Sequence, residues 1–439
     1  MRHDDSYRGG ENFDLRQMLL CGRRMQLNER IDLFTQFLSD LSEGGHFLHM
    51  RCIGSAADRS VKVDDPQTGR EREMLMFGSN NYLGLANHPY VRERVIQALR
   101  RYGTGIGGPP LLNGYTKLHR ELEERLAALK GAEDALVFSS GYGANVGLIT
   151  GLVQAHDVVV SDAFSHASFC DGLKMSGARA ISFPHNDVGR LAAILSTLEE
   201  DRTKHDVYVG VEGVYSMDGD LAPLVEIQNL CTRYGAVLIV DDAHGTGVMG
   251  AKGKGTAEHF HIHGSIDVTM GTFSKTFAVT GGFVAASKPL VNYLRFFARP
   301  YMFSASLPPQ IVAAVLAGLD VMEAEPDRLE ALRANIAYTG HGLRQIGFDL
   351  EPQSGIIPLV VPVGSNLRDM ARRFHEAGIF INSIEYPAVP ISQQRFRISL
   401  MATHTKEDID RLLEVVANVW RAETVQKSKK GNHSLVAAA

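Results

Sequence analysis

From Met76 onward, short apolar runs rich in β-branched residues alternate with stretches of helical periodicity, and this constrains the fold more than any other feature of the sequence. The runs are Ala135–Phe138, Val158–Val160, Val207–Val211, Val237–Val240, Val268–Met270 and Gly282–Ala285. Strands interleaved with amphipathic helices predict an α/β fold, a mostly parallel sheet wrapped by helices. One helix reads closely: Thr116 is an N-cap, Leu118, Leu122, Leu126 and Leu129 share a face, and Gly131 ends it, so the stripe is expected to be core packing and nothing more. A second unit starts after Pro308-Pro309, with β-like stretches at Ile357–Val361 and near Phe380–Ile381. The expected organisation is an N-terminal arm over 1–75 with a helical stretch at Leu27–Leu41, a large domain over 76–309 and a small C-terminal α+β domain over 310–425. The rest, 426–439, ending KSKKGNHSLVAAA, lacks periodicity and reads as a flexible tail.

Bulk properties narrow the function. A net charge of -5 spread over 439 residues, with no long basic block, argues against nucleic acid or an anionic membrane surface and for small polar ligands. No run of about 18 apolar residues suggests an integral membrane segment, and the opening MRHDDSYRGGENFD is too charged for a signal peptide. Cys21, Cys52, Cys170 and Cys231 form no CxxC pair, which fits neither a disulfide framework nor a zinc site; no metal and a cytoplasmic location are expected.

Three sites fall at the carboxyl ends of expected strands, where open α/β sheets place ligands. They are Asp241-Asp242-Ala243-His244, Gly271-Thr272-Phe273-Ser274-Lys275 and Ser139-Ser140-Gly141-Tyr142-Gly143. Pyridoxal phosphate (PLP) needs a Schiff-base lysine, a carboxylate at its pyridine nitrogen and donors for its phosphate. Lys275 supplies the first and Asp241 the second, with His244 reaching the phenolic oxygen. The Gly141-Tyr142 turn enters a helix whose free amides suit a phosphate, and Thr272 adds a hydroxyl. Taken singly, a lysine is usually a solvated charge, an Asp after a strand is often a helix cap, and a Gly-rich turn is often just a turn. Their joint occurrence in an order that fits one cofactor is what points to PLP.

The segments FGSNNYLGL, NGYTKLHRELE, SHASFCDG, EGVYSMDGDLAPL, VDDAHGTGVMG, GTFSKTF, FSASLPP and RFRISLMATHT, spread over Met76 to Ala417, resemble the α-oxoamine synthase family of PLP enzymes. LLNG, GTFSKTF, GGFVA, PAVP and SLMATHT resemble its bacterial serine palmitoyltransferase branch, whereas EGVYSMDGDLAPL and DDAHGTGVMG look equally like 8-amino-7-oxononanoate synthase. The resemblance implies a fold-type-I transferase, aspartate aminotransferase-like. It implies a homodimer with active sites at the subunit interface, joining a small amino acid, serine favoured, to an acyl thioester, long chain favoured, carried on coenzyme A or an acyl carrier protein. Carried over by position, it makes Lys275 the cofactor lysine, Asp241 the pyridinium partner, His244 and Ser216 the phenolic-oxygen partners and His166 the residue stacked on the ring. Ser140, Gly141, Tyr142 and Thr272 fall at the cofactor. Asn80 and Arg397 fall where the family contacts substrate, and an arginine fork suits a carboxylate. Without the resemblance, His166 would read as a cap or packed core histidine and Arg397 as an exposed arginine.

Two departures stand out. Ala305 occupies the position in FSASLPP where the family commonly carries a hydroxyl that the neighbouring subunit supplies to the phosphate, leaving Ser304 or Ser306 to replace it. The Pro109-Pro110 pair in GGPPLLNG is also unlike the family, which bears on the acyl pocket. Two rival readings remain. Gly103–Gly108 matches the dinucleotide fingerprint G-x-G-x-x-G, but it follows a helical stretch and leads into prolines. A noncatalytic partner subunit of a heteromeric synthase is the other rival, and Lys275, Asp241 and His244 argue against it.

Overall fold

The computed structural model describes residues 26–66, 68–199, 205–386 and 388–436, with side chains as far as Thr424; Cys21, Pro387 of PAVP and the last three residues of the expected tail lie outside it. The strands in chain order are β1 (Ser60–Asp64), β2 (Glu71–Met76), β3 (Asp134–Phe138), β4 (Val158–Asp162), β5 (Arg179–Phe183), β6 (Val207–Glu212), β7 (Val237–Asp241), β8 (Val268–Thr272), β9 (Gly282–Ala286), β10 (Ile356–Val360), β11 (Ile379–Phe380), β12 (Asn382–Ile384) and β13 (Arg395–Ser399).

All six apolar runs expected from Met76 onward are strands of one seven-stranded sheet, ordered β3-β9-β8-β7-β6-β4-β5. Only β9 runs against the others, pairing antiparallel with both β3 and β8. The seventh strand, β5, escapes the sequence reading because it is an edge: RAISF pairs only with β4, and three of its five residues are exposed. A strand with one free edge needs no continuous apolar run.

A second sheet, β10-β13-β12, is antiparallel and built from the C-terminal part of the chain. The β-like stretch placed at Ile357–Val361 is β10, and the one near Phe380–Ile381 divides into β11 and β12. In a third sheet β1 pairs antiparallel with β2, and β2 takes β11 as a parallel neighbour, with Leu75 opposite Ile379, so the end of the 60–76 segment pairs with the C-terminal part of the chain. A continuous core joins the halves, running from Phe77, Tyr82 and Phe273 through Leu316 to Phe374 and Phe396.

The 117–130 helix has Thr116 as N-cap and Gly131 as a left-handed C-cap at φ 66°, and Leu122 and Leu126 are fully buried. The expectation that this helix is apolar packing alone needs correction, because Glu123 and Lys130 are buried on it as well. Lys130 Nζ donates to Asp242 Oδ2 at 2.7 Å, Thr246 Oγ1 at 2.8 Å and the Lys254 carbonyl at 2.7 Å, which anchors the helix to the turn after β7.

The expected N-terminal helical stretch is a helix over Leu27–Glu43. At the other end a single helix runs Lys406–Val436, through most of the stretch expected to be an unstructured tail. Once a helix is anchored by packed residues such as Ile409, Leu412 and Val416, each added residue costs its own ordering and gains a hydrogen bond, so propagation needs no apolar stripe.

Candidate active site

The carboxyl ends of β6, β7 and β8 and the start of the 141–152 helix enclose a cavity of about 330 Å³. Its lining includes Ser140, Gly141, Tyr142, His166, Ser216, Asp241, His244, Thr272 and Lys275, nine residues singled out in the sequence. The volume lies within the ~300–1,000 Å³ of small-molecule sites.

At one side the backbone enters the 141–152 helix through Ser140, whose hydroxyl accepts from the Gly143 amide at 2.9 Å. Crowding explains Gly141: a Cβ there would stand 2.7 Å from Thr272 Oγ1, and the Cβ of an alanine at 282 would stand 2.7 Å from the Gly141 Cα. The Thr272 hydroxyl is also committed, donating to the Gly281 carbonyl at 2.9 Å. The start of this helix, where backbone amides lack intrahelical partners, thus lies at the cavity with no room for a Cβ at Gly141, an arrangement that suits an anion.

Opposite lies a row of ionisable groups. Asp241 accepts from Asn145 Nδ2 at 2.8 Å and from the Ala243 amide at 3.1 Å, so both carboxylate oxygens are oriented. Glu212 stands beside it in the β6–β7 register, buried, with Oε2 accepting from the Ser216 amide at 3.2 Å and Oε1 among the buried atoms without a partner. Burial, then the Asp241 charge, pushes the Glu212 carboxyl well above its ordinary pKa. His244 Nδ1 lies 2.7 Å from the Tyr82 hydroxyl, and burial, followed by the charges of Lys275, Arg397 and His166, holds His244 well below its ordinary pKa. The imidazole is therefore neutral. Burial also lowers the Lys275 ammonium, more than Asp241 and Glu212 raise it, which favours the free amine.

His166 performs the capping role that its bland reading allowed, accepting from the Ser168 amide at 3.2 Å, and it lines the cavity too. Arg397 is buried, donating from Nε to the Ser216 carbonyl at 2.6 Å and from Nη1 to Asn80 Oδ1 at 3.1 Å. Asn80 in turn accepts from the Tyr82 hydroxyl at 3.3 Å, so an Arg397–Asn80–Tyr82–His244 chain reaches the cavity from the C-terminal sheet. Ser304 is half-buried and outside the cavity lining of its own chain.

Asn145, Glu212, Ser168 and Tyr82 escaped the sequence reading. Glu212 had a signal, a carboxylate ending β6 as Asp241 ends β7; Asn145 had none, since its role depends on the helix turning it toward a residue 96 positions away. The dinucleotide fingerprint lacks its context: Gly103–Gly108 follows the 89–102 helix and leads into a π-helical turn at Pro110–Gly114.

The cavity fits PLP on grounds of its own chemistry: an amine of lowered pKa, an oriented carboxylate, a neutral imidazole and a helix start without room for a side chain. Comparison with known proteins agrees. Residues 72–416 match the family described as aminotransferase class I and II, and the chain belongs to that family. It is 42% identical over 389 residues to the 8-amino-7-oxononanoate synthase of Geobacter sulfurreducens, covering 88% of this chain and 97% of that protein. It is 38% identical over 402 residues to the serine palmitoyltransferase of Sphingobacterium spiritivorum, covering 91% and 98%. Among solved structures, serine palmitoyltransferase of Sphingomonas wittichii superposes with a TM-score of 0.85 at 32% identity, covering 92% of this chain and all of that one. The chain is thus a fold-type-I PLP-dependent acyltransferase of the oxoamine synthase reaction class. Among the described residues no helix is long and apolar enough to cross a membrane.

Proposed function

We propose that this enzyme condenses serine with a long-chain acyl thioester, releasing carbon dioxide and the free thiol and leaving an α-amino ketone. The observation that carries the reading is the meeting of Lys275, Asp241 and His244 in one cavity beside the Arg397–Asn80 pair. Lys275 would hold the cofactor, Asp241 its ring nitrogen, His244 and Ser216 its phenolic oxygen, His166 its ring face, and Ser140, Gly141 and Tyr142 its phosphate. Bound there, PLP supplies an electron sink for the bond broken at the amino acid's Cα.

The chain's own residues do the rest. Arg397, desolvated and fixed by the Ser216 carbonyl and Asn80, binds the substrate carboxylate. Lys275, biased by burial toward the free amine, takes the proton from Cα and later returns one. Asn145 keeps Asp241 aimed while its charge is in use.

Serine is supported by the structural likeness to serine palmitoyltransferase and by the SLMATHT segment. Alanine is the second reading, favoured by the 42% identity to an 8-amino-7-oxononanoate synthase. The acyl group arrives on coenzyme A or an acyl carrier protein.

A homodimer is part of the proposal. The two segments that depart from the family pattern touch each other, with the Ser306 amide donating to the Gly108 carbonyl at 3.0 Å. They expose Leu112 and Phe303, 80% and 71% accessible, an apolar pair suited to a second copy. Ser306 Oγ is buried against Gly114, which leaves Ser304 as the hydroxyl able to reach a neighbour's phosphate site.

The test crosses serine, alanine, glycine and threonine against short, medium and long acyl thioesters on both carriers, reading product and thiol release. Serine with long chains should turn over fastest; a preference for alanine or for short chains overturns the substrate assignment.

A further inference from the structure

Outside the cavity, His185 lies between two carboxylates, one at the end of β4 and the other in the loop that follows β6. Its Nδ1 is 3.1 Å from Asp162 Oδ1 and its Nε2 is 2.8 Å from Asp220 Oδ2. A neutral imidazole has one N–H, so this arrangement places a lone pair against a carboxylate unless the ring is doubly protonated. The neighbours complete the clamp. Asn186, at φ 55°, donates its amide to Asp162 Oδ2 at 2.8 Å and its side chain to Asp220 Oδ2 at 3.0 Å and the Leu221 carbonyl at 3.1 Å. Phe164 stacks on the imidazole at 4.2 Å and Tyr215 meets it edge-on at 4.4 Å.

Each carboxylate is four residues from a cavity residue. Asp162 ends β4 and is followed by the turn that delivers His166; Asp220 belongs to the 213–222 loop that delivers Ser216, whose carbonyl holds Arg397. The opposite side of that loop is gripped by the C-terminal sheet: Arg395 donates to the Met217 carbonyl at 3.1 Å and Ser354 to the Gly219 carbonyl at 2.8 Å.

We infer that His185 is a positioning residue: as an imidazolium it ties the β4 end to the 213–222 loop and so sets the spacing of His166 and Ser216 across the cofactor site and the aim of Arg397. This rests on the cofactor and carboxylate assignments above. The charged groups facing the ring are Asp162 and Asp220, with Tyr215 in contact and Glu212 near enough to feel the Asp162 charge. Burial lowers the imidazole's pKa, but the hydrogen bonds and charges of both aspartates outweigh it and raise the value to about 9. Because the folded value lies above that of the free side chain, the clamp is fully formed below about pH 6.5 and is lost as pH rises through about 9.

The experiment titrates PLP into apoprotein from pH 6 to 10 by fluorescence quenching, and measures amino-acid KM and kcat on holoenzyme, for the wild type, His185→Gln and Asp220→Asn. His185→Gln should weaken PLP binding and raise the amino-acid KM by about tenfold each, as expected for loss of a coupled contact, with kcat changed by less than about threefold. The wild type should lose PLP affinity above about pH 9; that limb should move toward neutrality in Asp220→Asn and vanish in His185→Gln, a pattern that simple destabilisation does not give. A folded His185→Gln protein with wild-type PLP affinity, KM and pH profile overturns the inference, as does an unmoved limb in Asp220→Asn if His185→Gln does not fold. Failure of the wild type to bind PLP would instead strike the site assignment.

Discussion

A lysine, a carboxylate and an imidazole at the ends of adjacent strands were legible as one site because each of their motifs is local: a strand end followed within a few residues by the chemical group. Lys275 is the member whose removal is least ambiguous. Lys275→Ala should abolish turnover and the visible absorbance of lysine-bound cofactor while leaving the far-ultraviolet circular dichroism intact; retained activity would exclude it as tether and base. Arg397 makes a quantitative case. Its guanidinium is buried, so Arg397→Ala leaves a carboxylate without a partner in a desolvated place, and amino-acid binding should weaken by about 2–5 kcal/mol in a spectroscopic titration. What the sequence withheld at this scale is the environment that tunes these groups. Tyr82 lies in a motif that drew attention only to Asn80, and its bond to His244 spans 162 positions, a separation that no local pattern encodes.

Elements were read best where their periodicity reflects apolar packing, as at Leu122 and Leu126, and worst where burial is polar, as elsewhere on the same helix. Lys130 stands in the last turn of that helix, a common favourable placement for a cation. In the folded chain its ammonium and the Asp242 carboxylate are each only 3% accessible and meet at 2.7 Å, one residue from Asp241. Asp242 Oδ1 accepts from the Thr256 amide and hydroxyl, so the whole turn from β7 to residue 256 hangs on this pair. Lys130→Met would strand a buried carboxylate, and the expected loss is about 3–5 kcal/mol of unfolding free energy in urea titrations of the apoprotein. A loss below about 1 kcal/mol would mean that water reaches Asp242. β1 and β2 differ in legibility: SVKVD alternates polar and apolar residues as its burial does, a half-exposed strand's signature that the sequence carries, whereas EREMLM opens on three charged residues and shows no such alternation.

At the scale of the molecule, the central sheet was legible and the way distant segments assemble was not. The 60–76 strands belong with β11, some 300 residues later, and pairing at that range leaves no trace in a single sequence. The same holds for a partner subunit, whose contribution must be inferred from what one chain lacks. The cavity has its lysine, carboxylate and imidazole, yet Ser304 sits outside it while Leu112 and Phe303 stand exposed on the adjoining segments. If Ser304 serves the neighbour's phosphate site, each active site is composite, with Lys275 from one copy and Ser304 from the other. Ser304→Asp places a negative charge against that phosphate and should cut activity strongly, while Lys275→Ala abolishes it. Mixed and allowed to exchange subunits, the two variants form hybrids in which one site has Lys275 from the first copy and Ser304 from the second, both intact. Activity should therefore reappear on mixing two weak or inactive proteins, reaching at most about half the wild-type value per hybrid dimer, as follows from one intact site in a two-fold pair. Mixing that restores nothing, in a sample shown by mass spectrometry to contain hybrids, would place Ser304 outside the partner's site.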